Sequence, residues 1–156
     1  MASNAESTVK HGVARLEELP QLTELLGLLL EQEADFAPDP EKQRRALREI
    51  LSDALIGRIY VARQGATVIA MASLLYTVST VEGGKAAWLE DVVVRPEHRG
   101  RGVGRRLLQH LMASARAEGV LRVTLLTDAD NERAHSLYEG LGFQFSAMRP
   151  MRLKLD

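Results

Sequence analysis

Residues 95–108, RPEHRGRGVGRRLL, crowd together three glycines (Gly100, Gly102, Gly104) and five arginines (Arg95, Arg99, Arg101, Arg105, Arg106). They directly follow the apolar run Val92-Val93-Val94. A helix N-terminus carries unpaired N–H groups and about half a positive charge, so it attracts anions. Glycines let backbone approach a ligand closely and adopt positive φ, and arginine forks match phosphate oxygens. These residue types therefore suit a phosphate or pyrophosphate cradle. Without a ligand, the same residues make a basic, solvated strand-to-helix turn. The loop is not a P-loop, since no G-x-x-x-x-G-K-[ST] string occurs. As a dinucleotide fingerprint it fails at its third glycine, where Arg105 stands.

The elements that position this loop follow from periodicity. Apolar residues at 19, 22, 25, 26, 29 and 30 predict a helix, which "APDP" at 37–40 ends. A second helix over 41–56 places Leu47, Ile50, Leu51 and Leu55 on one face. Residues 58–80 read as two strands joined at Gln64-Gly65, and AAWLEDVVVRP as a third, ended by Pro96. The helix after the loop carries an apolar stripe from Val103 to Ala115. A strand over 121–127, a short helix over 131–142 and one or two final strands over 143–155 complete the chain. With a short strand near 11–16, the order is β-α-α-β-β-β-α-β-α-β. This is a mixed α/β domain with one strand-helix-strand crossover near residue 100.

Bulk properties exclude several functions. A length of 156 residues suits one domain, 1–156, with residues 1–8 expected to be flexible. The absence of cysteine removes disulfides, cysteine metal sites and a cysteine nucleophile. A net charge of −1 gives no global attraction to nucleic acid or acidic membrane, and no aromatics interleave the arginines. His11, His98, His110 and His135 have no metal-site spacing, so no metal is expected. The N-terminus lacks an apolar signal region, and Leu25 to Leu30 is too short to span a bilayer. A cytoplasmic protein is the default expectation.

Arg99-Gly100-Arg101-Gly102-Val103-Gly104 fits the pattern [QR]-x-x-G-x-[GA]. It resembles the acetyl-CoA pyrophosphate signature of the GNAT family of N-acetyltransferases. NERAHSLYEGLGF, from Asn131, resembles the family's second motif, N-x-x-A-x-x-[LF]-Y-x-x-x-G-F. The resemblance extends over nearly the whole chain. It implies a central, mostly antiparallel sheet flanked by helices, with acetyl-CoA as cosubstrate. It also implies that Val92, Val93 and Val94 pair with the pantetheine arm. The pyrophosphate is then held around Arg99, Gly100, Arg101, Gly102, Val103, Gly104 and Arg105. Asn131 contacts the arm in the family, and it also suits a helix N-cap.

Amide formation from a thioester needs a neutral amine, hence a base, and the thiolate leaves better with a proton from an acid. With no cysteine, direct attack in a ternary complex is expected. The resemblance makes Tyr138 the general acid. Strand alternation puts Trp88, Glu90 and Val92 on one face and Leu89, Asp91 and Val93 on the other, so only one carboxylate can face the acetyl group. Glu90 is the expected base, with Asp91 as fallback or substrate-binding group.

In the family, the segment joining the first two helices lines the acceptor pocket. Here EQEADFAPDPE, residues 31–41, holds five acids and no base. It favours a cationic acceptor, a small amine or a lysine or N-terminal amine of a protein, with Phe36 and Tyr76 as further substrate-binding candidates. A non-catalytic CoA-binding sensor is the alternative. The family often forms homodimers, to which Met148, Met151 and Leu153 could contribute.

Overall fold

The computed structural model describes residues 8–33 and 35–156; most of the N-terminal stretch expected to be flexible, residues 1–7, lies outside them. The chain forms two compact units, one ending at Leu126 and one spanning Thr127–Asp156.

The first unit is built on a five-stranded sheet: β1 (Val9–Val13), β2 (Gly57–Gln64), β3 (Thr67–Ser79), β4 (Gly84–Val94) and β5 (Val123–Leu125). The strands lie side by side in chain order. The first three pairings are antiparallel, and β4 pairs with β5 in parallel. That parallel pair is the crossover expected near residue 100. The connection contains helix α3 (Val103–Ala117). β1 lies slightly earlier than expected, and β5 is shorter.

Helices α1 (Leu19–Leu30) and α2 (Pro40–Ser52) cover one face. Proline stands in the first turn of each, where its missing N–H costs nothing. Asp39 caps α2, its Oδ1 accepting the Lys42 N–H at 3.3 Å. Leu22, Leu25, Leu26 and Leu47 pack with Ile59, Val61, Met71 and Val93 from the sheet. The opposite face receives α3, with Leu107, Leu108 and Leu111 fully buried. The apolar face expected of α2 is shorter than its sequence suggests. The helix stops at Ser52, and Leu55, beyond it, is 87% exposed. Glu18 anchors the entry to α1: its carboxylate accepts from Arg63 Nε and Nη2 of β2, both at 2.7 Å.

The second unit contains α4 (Glu132–Gly140), capped by Asn131 Oδ1 accepting the Ala134 N–H at 3.1 Å. Gly142, at φ 98°, ends it. The final strands expected over 143–155 are absent: these residues have no strand pairing. Their apolar alternation is genuine, but a strand needs a neighbour to accept its ladder. Pro150 also removes a donor midway. Met148, Met151 and Leu153 are exposed.

Among the described residues, no helix is long and apolar enough to cross a membrane.

Candidate active site

The expected alternation along β4 holds to Glu90 and then breaks. Glu90 faces Ser73 of β3, yet Val93 faces Met71. Three steps on β4 thus match two on β3, which is a β-bulge at Asp91 and Val92. Asp91 has φ 54°, the one non-glycine residue at positive φ among those described. Side chains there cost free energy and cluster where function fixes the backbone. The bulge corrects the predicted facing of the carboxylates. Glu90 and Val93 now share the face covered by α1 and α2, while Asp91 occupies the irregular position between them.

Asp91 is partly buried and Glu90 exposed. Asp91 lines a pocket of about 320 Å³ with Leu26 and Leu30 of α1 and Ala46, Leu47 and Ile50 of α2. Burial, then the charges of Glu90 and Glu33, push its carboxyl pKa up to about 6. It is thus poised to exchange a proton near neutral pH. A larger hollow, about 520 Å³, lies along the exposed face of α2, lined by Glu41, Arg44, Arg45, Arg48, Glu49 and Ser52. One helix face cannot enclose a substrate, so this hollow plays no part in the site.

β4 leads from the bulge to the glycine loop. β5 pairs only with Ala87, Trp88 and Leu89. Beyond Leu89, no described strand lies along that edge of β4, so Val92, Val93 and Val94 border an open edge. A short 3-10 turn (Pro96–His98) then delivers the chain to Gly100 and Gly102, both at φ 75°. Gly102 is the N-cap of α3, and its carbonyl accepts the Arg106 N–H at 3.1 Å. The Gly102, Val103 and Gly104 N–H groups precede that first bond and have no helical acceptor. A Cβ on Gly104 would meet Val94 Cγ2 at 3.3 Å, so glycine here lets α3 start close against β4.

The arginines divide by role. Arg95 is structural: Nε donates to the Val68 carbonyl at 2.7 Å, and Nη1 pairs with Glu24 of α1 at 2.9 Å. Arg106 Nη2 donates to the Arg101 carbonyl, bracing the loop. Arg99 Nε donates to the Val94 carbonyl at 3.1 Å. With its amide turned to present oxygen, Gln32 accepts from Arg99 Nη2 at 2.9 Å and Nη1 at 3.2 Å. Arg101 on the loop and Arg105 in the first turn of α3 are exposed.

Tyr76 lies apart from the carboxylates. It is three residues from Ser73 on β3, and so on the opposite face from Glu90. There its hydroxyl donates to Glu118, the residue closing α3, and the Lys85 ammonium sits 3.8 Å above its ring. Phe36 lies in the α1–α2 connection and is exposed. In the second unit, Tyr138 is partly buried on α4, its ring edge-on to Phe143. Burial raises its phenol pKa, keeping it protonated.

Two residues escaped the sequence reading. Gln32 lies just past the end of α1, in the acidic segment already suspected, and its uncharged side chain did not mark it. Ser73 is fully buried opposite Glu90, its Oγ without a hydrogen-bond partner. Nothing in the string AMASLLY, residues 70–76, marks it. Among the described residues, no cluster of three His, Cys, Asp or Glu could hold a metal.

Comparison with known proteins gives the family and the fold. Residues 22–143 match the acetyltransferase (GNAT) family. A glucosamine 6-phosphate N-acetyltransferase of Trypanosoma brucei brucei is 31% identical over 143 residues, 88% of this chain and 90% of that protein. A putative acetyltransferase of Agrobacterium tumefaciens superposes with a TM-score of 0.78 at 27% identity, over 92% of this chain and 99% of that one. A Clostridium acetobutylicum protein solved with acetyl-CoA shares the fold, with a TM-score of 0.76 at 17% identity over 96% of each chain. The chain therefore belongs to the GNAT acetyltransferase family, as an N-acetyltransferase.

Proposed function

We propose that this enzyme moves an acetyl group from acetyl-CoA to a primary amine by direct attack in a ternary complex. The observation that carries the reading is the continuous run from the β4 bulge through the open strand edge to the start of α3. The N–H groups at Gly102, Val103 and Gly104, with Gly100, Arg99, Arg101 and Arg105, supply donors for a pyrophosphate. The open edge at Val92–Val94 offers backbone groups to an extended amide-bearing arm. Asn131 is assigned to the same arm by the family motif alone.

In the transfer, the amine nitrogen bonds to the thioester carbonyl carbon and the carbon–sulfur bond breaks. The amine's proton passes to a carboxylate, and the thiolate takes one from Tyr138. Burial and the strained bulge favour Asp91 as the carboxylate that receives the proton. Glu90, the residue expected in that role, is exposed and acts by raising its neighbour's pKa. The acidic segment at 31–41 supports a cationic acceptor. The exposed apolar residues Met148, Met151 and Leu153 are compatible with a homodimer.

Titration calorimetry with acetyl-CoA tests the reading. The wild type should bind saturably and Gly102→Glu should not, with both proteins giving the same far-UV spectrum. Equal affinity in the two overturns it.

A further inference from the structure

The pocket beside Asp91 is narrow in its chemistry. Its walls are the side chains of Leu26, Leu30, Leu47 and Ile50 and the methyl of Ala46. Asp91 is its one carboxylate, and Lys42 its one cation. No hydrogen bond or ion pair engages the Asp91 carboxyl among the described residues. Glu33 and Glu90 add negative potential at the same point. A group placed there gains from carrying one positive charge next to Asp91 and apolar surface everywhere else.

Three acceptor chemistries fare differently. A polyamine brings a second ammonium, which has no carboxylate to meet along the leucine and isoleucine walls. A sugar phosphate needs several donors, whereas the pocket supplies Lys42, already shared with Asp39 at 4.0 Å, and the Gln43 amide. A monoamine on an apolar arm leaves no polar group unpaired.

Resting on the acetyl-transfer reading above, we infer that the acceptor is a small primary monoamine borne on an alkyl or aralkyl arm, its ammonium at Asp91 and its arm between α1 and α2. The arm fixes specificity through Leu26, Leu30, Ala46 and Ile50, and Asp91 selects for charge.

The test is calorimetry on the CoA-saturated enzyme with phenethylamine, spermidine and glucosamine 6-phosphate as probes. Phenethylamine should bind at least tenfold more tightly than either of the others. Ala46→Phe, which fills the pocket, should weaken phenethylamine at least tenfold and leave the acetyl-CoA affinity unchanged. Asp91→Asn should abolish the preference for phenethylamine over 2-phenylethanol, a change that a merely structural Asp91 would not produce. Tighter binding of spermidine or glucosamine 6-phosphate, or an Ala46→Phe enzyme that binds phenethylamine like wild type, overturns the inference. The acetyl-CoA titration is read separately, so failure of the cofactor reading is distinguishable from failure of the acceptor assignment.

Discussion

Glu90 and Val93 lie on the same face of the sheet although they are three steps apart along the strand, because Asp91 and Val92 together fill one place in the β3–β4 ladder. The extra residue releases Asp91 from the regular alternation and sets it beside the α1–α2 pocket at φ 54°.

With Asp91 as the proposed proton acceptor, stability and activity should respond to pH in opposite senses. Its pKa is raised to about 6 in the fold, against an ordinary value of 3.8. The folded state therefore holds this proton more tightly, and stability falls as pH rises between those two values. Above pH 6 the ionised group costs the fold up to about 3 kcal/mol, at about 1.4 kcal/mol per pKa unit. Asp91→Asn should melt higher than wild type at pH 8, with the gap closing toward pH 4. The acid limb of kcat/KM, near pH 6 in wild type, should vanish along with most of the activity. A melting gap independent of pH would exclude Asp91 as the titrating group. Asp91→Gly should keep the bulge, since glycine accepts φ 54° without strain, while also losing the limb.

Much of the candidate site was legible because its proposed chemistry is local. The loop at 99–105 needs glycines at fixed steps and a helix immediately after, and both are visible in the string. The two α-helices over the sheet follow from leucine spacing. The bulge was not readable, because it depends on how β4 registers against β3, a long-range choice that local alternation cannot reveal. The same limit explains Tyr76: its nearness in sequence to β3's polar end suggested a substrate contact, and sheet parity sent it to the other face. The final residues erred in the other direction, with a strand pattern that finds no ladder.

Gly102 and Gly119 separate two costs of replacing glycine. Both have positive φ, 75° and 81°. An added Cβ at Gly119 meets nothing within 4 Å, whereas at Gly102 it meets Arg106 Nη1 at 2.9 Å. Alanine at 119 should cost about 1 kcal/mol of stability, from backbone strain alone, with acetyl-CoA affinity unchanged. Alanine at 102 should cost at least as much and also weaken acetyl-CoA, because it displaces the Arg106 side chain that braces the Arg101 carbonyl. Denaturant melts with paired calorimetry read both effects. Equal acetyl-CoA affinity in the two variants would remove the loop from the binding site.

Tyr76 tests the parity argument directly. Its hydroxyl donates to Glu118, which also meets Arg58 Nε at 2.8 Å. Burial, then the bond to Glu118, raises the phenol's pKa, so it stays protonated as a donor. Tyr76→Phe should lower stability by about 1–2 kcal/mol, the cost of an unmade bond to a charged group, and leave the acceptor KM unchanged. A tenfold rise in KM at unchanged stability would return Tyr76 to the acceptor site.

Tyr138 is the last group whose role kinetics can settle. Its phenol is protonated through the neutral range, and burial raises its pKa further. A protonated phenol can give its proton to a departing thiolate, and phenylalanine keeps the ring packed against Phe143 while removing that proton. Tyr138→Phe should lower kcat by about 10²-fold, the usual size of a lost general acid, with acetyl-CoA affinity and melting temperature held. A thioester with a more acidic leaving thiol needs less help, so the deficit should shrink when such a donor replaces acetyl-CoA. A deficit that stays constant across leaving groups would mean that Tyr138 serves packing and that the thiolate takes its proton elsewhere.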